Sequence, residues 1–121
     1  MRLGATEIDA VINIGKARSN DWAYVERELR ALNQLVVAAG GLLKVIFENE
    51  LLQLGRDEDE AAIARLCRIC TDLRVGFVKT GTGYGFVRRA DGAYVARGAA
   101  PAHLALMRRH AGPGVGVKAA G

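Results

Sequence analysis

Of the 17 basic residues in the chain, 13 are arginine and four are lysine: Lys16, Lys44, Lys79 and Lys118. Three of these lysines, Lys44, Lys79 and Lys118, lie inside short runs that are otherwise mainly apolar. A fourth run of the same kind holds Asp9, and none of the four contains an arginine. Three amines and one carboxylate, one per run, suit carbonyl chemistry. An amine attacks a carbonyl only as the free base, and an unperturbed lysine titrates at about 10.4. Burial and a neighbouring ammonium both lower that value. A lysine so activated forms a Schiff base. Arginine cannot replace it, because a guanidinium stays protonated.

A glycine-rich segment follows the third of these runs: Lys79-Thr80-Gly81-Thr82-Gly83-Tyr84-Gly85. Glycines let backbone N–H groups approach an anion closely. The segment matches neither GxGxxG nor a P-loop. Cys67-x-x-Cys70 has the look of half a metal or redox motif. His103 and His110 are not at zinc-finger spacing from it, so core packing is expected for the cysteines. A structural or solvent-facing role is expected for both histidines.

The elements that must position these residues follow from periodicity. The runs Glu7–Asn13, Leu42–Glu48, Val75–Thr80 and Val115–Ala119 are short and rich in branched residues or Phe, which predicts strands. Trp22, Val25, Leu29, Leu32, Val36 and Ala39 recur at helical spacing, predicting a helix over Asn20–Ala39 with Asn20 as N-cap and Gly40-Gly41 as its stop. A second helix is expected over Asp57–Leu73. Its apolar stripe is Ile63, Leu66, Cys70 and Leu73, and its acidic start suits the helix dipole. A third begins at Pro101 and carries Leu104, Met107 and Ala111. Phe86–Arg89 and Ala93–Ala96 flank Asp91-Gly92, which predicts a small β-ribbon.

The order is βαβαβαβ, with strands starting about 33–40 residues apart. This is the rhythm of an α/β fold with parallel strands and helical crossovers. Strands covered on both faces should be apolar throughout. An ionisable residue in every strand is expected instead where strand ends converge on a site, as in a (β/α)8 barrel. Four βα units are half of such a barrel. Residues 1–121 therefore read as one partial, half-barrel domain, opening just before a strand and stopping just after one.

Composition narrows the function classes. Half of the 121 residues are hydrophobic and 25% are charged, which is globular composition. No apolar run approaches the ~20 residues of a membrane span, and the first residues lack the apolar core of a secretory signal. Two cysteines without a targeting segment suit a reducing cytoplasm. The net charge of +4 is spread among interleaved acids, and only 6% of residues are aromatic, so no nucleic-acid platform is expected.

The runs Val75–Gly85 (VGFVKTGTGYG), Gly116–Lys118 (GVK), Leu42–Glu48 (LLKVIFE) and Glu7–Asn13 (EIDAVIN) together resemble deoxyribose-phosphate aldolase, in order and spacing. The intervening RLCRIC and LALMRR stretches share the resemblance, which spans essentially the whole chain. It implies a TIM barrel, of which this chain holds the fourth to seventh strands, and a class I aldolase that uses no metal or cofactor. The activity implied is reversible cleavage of 2-deoxy-D-ribose 5-phosphate to D-glyceraldehyde 3-phosphate and acetaldehyde. By the same resemblance Lys79 is the Schiff-base lysine and Lys118 the second lysine that lowers the pKa of the first. Asp9 is the proton-relay carboxylate, Lys44 lines the pocket, Thr82 lies near the substrate hydroxyls, and Gly83 and Gly121 belong to the phosphate region. Gly81 departs from the family's usual serine. The first three strands and the eighth are missing from the match. A second expectation follows from that incompleteness: a non-catalytic half-barrel or assembly module that pairs with itself or with a complementing chain through its edge strands.

Overall fold

The computed structural model describes residues 2–52, 54–96 and 98–120. In chain order the elements are β1 (Glu7–Val11), α1 (Ile14–Arg18), α2 (Trp22–Ala38), β2 (Leu42–Ile46), α3 (Arg56–Leu73), β3 (Phe77–Lys79), β4 (Phe86–Arg88), β5 (Tyr94–Ala96), α4 (Pro101–His110) and β6 (Gly116–Lys118). A 3-10 turn, Asn49–Leu51, follows β2. Strands β1, β2, β3 and β6 pair in that order, all parallel, while β4 and β5 form a separate antiparallel ribbon. The expected βαβαβαβ order and parallel sheet are both present.

Alternation along each strand decides what the sheet buries. Leu43, Val45 and Val78 point to the helices and are fully buried, with Ile8, Ala10 and Val117 packed beside them. The opposite parity carries Glu7, Asp9, Lys44, Lys79 and Lys118. On the helical side, Val25, Leu29 and Val36 of α2, Ile63, Leu66, Cys67 and Cys70 of α3, and Met107 of α4 complete one core. α3 packs against both α2 and α4. That double contact explains why its buried face, which also takes in Ala62, Ala64 and Ile69, is wider than the single stripe expected.

Several boundaries differ from expectation, each for a local reason. β1 stops at Val11 because Asn13 turns out to cap α1, its side chain accepting the Lys16 N–H at 3.1 Å. The cap of α2 is Asp21, not Asn20: Asp21 accepts from the Tyr24 N–H at 3.2 Å, whereas Asn20 has φ +57°, outside the extended geometry of an N-cap. Ala39 lies beyond the end of α2 and is exposed. On the same helix Asn33 is buried among apolar neighbours, and its Nδ2 donates to the Leu73 carbonyl at 2.7 Å. The ribbon turns at Arg89–Gly92, with Gly92 at φ +88° and the Arg89 N–H bonded to the Ala93 carbonyl.

The cysteines of the CxxC segment face the core. Burial pushes the Cys67 thiol up to about 12 and that of Cys70 higher still, so neither is a thiolate at neutral pH. They pack; they do not ligate. Among the described residues, no helix is long and apolar enough to cross a membrane.

Leu66 is wholly buried at the centre of α3. Truncation to alanine removes its contacts and leaves a cavity. Leu66→Ala is expected to lower unfolding stability by about 2–5 kcal/mol, measured by urea titration of the helical circular-dichroism signal.

Candidate active site

The charged parity of the sheet forms a face free of helices. Register fixes its rows: Asp9, Lys44, Phe77 and Gly116 lie side by side on successive strands, and Ile46, Lys79 and Lys118 form the next row. Lys79 Nζ reaches across β2 to Asp9 Oδ2 at 3.0 Å. Lys44 lies between them, its Nζ 2.6 Å from Glu7 Oε2 and 3.8 Å from Asp9 Oδ1. Lys79 and Lys44 are well covered, with side chains 16% and 10% exposed, whereas Asp9 and Glu7 are 35% and 48% exposed. The amines are therefore shielded along their stems while their carboxylate partners remain wet at the rim.

Phe77 completes the floor. Its ring lies 5.8 Å from Lys44 Nζ, within cation–π range. The ring spreads over Gly116 on the neighbouring strand, where a Cβ would collide with it. Gly116 thus permits the aromatic floor that Lys44 rests on.

Two groups are shifted for identifiable reasons. Partial burial pushes the Asp9 carboxyl up, but the hydrogen bond and charge of Lys79, with the charges of Lys44 and Lys118, outweigh it and hold Asp9 below its usual value. The hydrogen bond that Lys44 donates to Glu7 raises Lys44. Burial opposes this, and the charges of Glu7 and Asp9 reinforce it, so Lys44 remains an ammonium.

Of the residues singled out from sequence, Asp9, Lys44 and Lys79 form one bonded cluster. Lys118 is exposed and takes its place as the register partner of Lys79, on the same face, with no ion pair among the described residues. Thr82 and Gly83 lie beyond the end of β3 in the Gly81–Gly85 segment. There the Thr82 N–H is donated to the Glu48 carboxylate and the Tyr84 N–H to Thr82 Oγ1. Those two amides are engaged within the protein and are not turned toward an anion. Gly83 is exposed at φ +88°. Gly121 lies outside the described residues. His103 and His110 are half-buried on α4.

Glu7, Phe77 and Glu48 join the site without having been singled out. Glu7 carries the same signal as Asp9, standing two residues before it on one strand. Phe77 stands two residues before Lys79. A cavity of about 820 Å³ lies elsewhere: it opens between the Gly81–Gly85 segment, Glu48–Glu50 and the start of α4, and none of the sheet lysines lines it. The lysine cluster is an open sheet face, not an enclosed pocket, so cavity size does not identify it; its chemistry does.

A parallel sheet backed by helices on one face, with its strands in chain order, is the architecture of part of a (β/α) barrel. A solved structure described as QR15, an aldolase, superposes with a TM-score of 0.74 and 27% identity, over 98% of this chain and 45% of its own. The relatives in sequence are more specific. Deoxyribose-phosphate aldolase of Rhodopirellula baltica is 47% identical over 118 residues, covering 98% of this chain and 42% of the relative. The enzymes of that name from Histophilus somni and Mannheimia succiniciproducens are 42% and 44% identical over 121 residues, 46% of each relative. No protein-family model matches the chain. The resemblance to deoxyribose-phosphate aldolase therefore runs the whole length of this chain, which spans less than half the length of the relatives it matches.

Because the folded Asp9 value lies below the ordinary 3.8, its ion pairs stabilise the fold above that pH and the contribution fades as pH falls through the folded value. Asp9→Asn is expected to cost roughly 0.5–1 kcal/mol near neutrality, small because Asp9 is partly wet. The gap from the unsubstituted chain should close below about pH 4, as followed by urea titrations across a pH series.

Proposed function

We propose that this chain carries the Schiff-base centre of a deoxyribose-phosphate aldolase, with Lys79 as the nucleophile. The observation that supports this best is the 3.0 Å contact between Lys79 Nζ and Asp9 Oδ2 on a sheet face shared with Lys44 and Lys118. A reacting lysine needs a partner that takes and returns protons, and Asp9 is within direct reach. In the cleavage direction the amine of Lys79 adds to the aldehyde carbon of 2-deoxy-D-ribose 5-phosphate, and loss of water gives an iminium. The bond beyond the α-carbon breaks as the adjacent hydroxyl loses its proton. D-Glyceraldehyde 3-phosphate leaves, and the electron pair is held as an enamine on Lys79. Protonation of the enamine carbon through Asp9 and water, then hydrolysis, frees acetaldehyde and regenerates the amine.

The remaining cluster takes supporting roles. Lys44 stays an ammonium bound to Glu7 and Asp9, and lines the site without attacking. Lys118 is the second lysine of the centre, placed on the adjacent strand in register with Lys79. Thr82 lies near the substrate hydroxyls, and Gly83 and Gly121 belong to the region of the sugar phosphate. No cofactor takes part, and the setting is the cytoplasm.

Incubation with acetaldehyde and borohydride should reduce the imine to a stable N-ethyl adduct on Lys79, located by peptide mass spectrometry. Lys79→Leu should abolish it. A folded, unsubstituted chain that acquires no adduct at Lys79 overturns the proposal.

One observation favours a second reading, in which the chain acts with a complementing chain. Among the described residues β1 is hydrogen-bonded only to β2, and β6 only to β3, so the sheet shows two open edges there. Val11 and Leu42 on the bare face are 40% and 44% exposed. One edge strand carries Glu7 and Asp9 and the other Lys118, so β6 of one copy and β1 of another bring opposite charges together. Light scattering coupled to size exclusion should then report a dimer or larger species. A stable monomer at micromolar concentration would count against pairing through the edges.

A further inference from the structure

Glu48 is an ionisable residue that the aldol chemistry leaves without a task, yet with Lys44 it is among the most covered charged residues described. It follows β2 directly and is only 8% exposed. Its backbone takes φ +52°, a left-handed conformation that a residue with a side chain rarely adopts. Such a conformation persists where the surroundings over-determine it. Here they do: the Phe47 N–H bonds the Lys79 carbonyl at 2.9 Å and the Asn49 N–H bonds the Thr80 carbonyl at 3.0 Å. These two bonds grip the chain on either side of Glu48 and aim its carboxylate at the segment that follows Lys79.

That segment is folded around the carboxylate. Glu48 accepts the Thr82 N–H. A Cβ on Gly81 would stand 3.0 Å from Glu48 Oε1, whereas one on Gly85 would meet Glu50 Oε2 at 3.3 Å. Gly81 thus leaves the Glu48 carboxylate room that a side chain would narrow. Thr82 Oγ1, fixed from the other side by the Tyr84 N–H at 3.1 Å, keeps its own hydrogen free to donate.

We infer that Glu48 is a positioning residue: its carboxylate anchors the Gly81–Gly85 segment through the Thr82 amide and so sets the Thr82 hydroxyl relative to Lys79. The role of Thr82 toward a substrate rests on the proposed aldolase reading, whereas the anchoring itself does not.

The test separates the two. In amide-exchange and ¹H–¹⁵N NMR spectra of the full chain, the Thr82 amide should lie downfield and exchange at least about tenfold more slowly than the amide of exposed Gly83. Glu48→Leu should abolish that protection, while Glu48→Gln, which keeps an acceptor oxygen, should retain most of it. In parallel, acetaldehyde trapping at Lys79 should slow about tenfold in Glu48→Leu and recover in Glu48→Gln. If Glu48→Leu does not fold, the unsubstituted chain and Glu48→Gln still decide: a Thr82 amide that exchanges as fast as Gly83 in both overturns the anchoring. Protection at Thr82 with no trapping in the unsubstituted chain leaves the anchor standing and overturns the aldolase reading instead.

Discussion

The constraint on which this structure depends is the parity of its parallel sheet. Successive side chains alternate between the two faces, and strand register locks the parity of each strand to that of its neighbours. In β1, β2, β3 and β6 one parity is apolar and meets the helices, and the other carries Glu7, Asp9, Lys44, Lys79 and Lys118. A slip of one residue in any pairing would drive an amine among Leu43, Val45 and Val78 and turn those residues to water. An unpaired ammonium in such surroundings costs several kcal/mol. The apolar packing of α2, α3 and α4 therefore selects the register, and the register assembles the charged cluster. Lys79 and Asp9 come within 3.0 Å although a whole strand separates them, because their backbones are held at a fixed spacing of two strands, roughly 10 Å, which a lysine side chain spans together with an aspartate.

This dependence explains what was legible in the sequence. Lys44, Lys79 and Lys118 stand out because a charge in an apolar run contradicts its surroundings, and Asp9 does so for the same reason. The helices could be read from periodicity, since α2 and α3 are 17 and 18 residues long. α1 could not, because its five residues hold too little of a helical repeat, and its cap, Asn13, sits at the end of an apolar run and reads as strand. Asn20 and Asp21 are equally good caps by residue type, and only the backbone turn at Asn20 decides between them. Glu7 obeys the period-two rule as well as Asp9 does. Its place at the start of a run gives it the look of a solvated strand end.

Glu48 lies at the other extreme. Its partner Thr82 is 34 residues away, and the contact exists only because the Gly81–Gly85 segment folds back over the end of β2. No periodicity predicts that. The glycines of the segment are conspicuous in the sequence, and the usual inference from such glycines is an anion brought close to backbone amides. In this fold Gly81 admits the protein's own Glu48 carboxylate.

The two covered amines of the cluster do not stand in equivalent surroundings. Lys44 is bound by two carboxylates, Glu7 at 2.6 Å and Asp9 at 3.8 Å, and is supported by the Phe77 ring; these contacts favour its ammonium form against the opposing effect of burial. Among the described residues Lys79 is ion-paired with Asp9 alone, and its register partner on the other side is another lysine. Asp9 divides its two oxygens between them, Oδ1 toward Lys44 and Oδ2 toward Lys79. The charge that Glu7 supplies to Lys44 leaves Asp9 nearer to Lys79 and available to it. In this division one lysine is held as a cation between two carboxylates while the other meets one partly hydrated carboxylate at hydrogen-bonding distance. A face built from five ionisable side chains thus gives its two covered amines different surroundings by the number and placement of the carboxylates each amine meets.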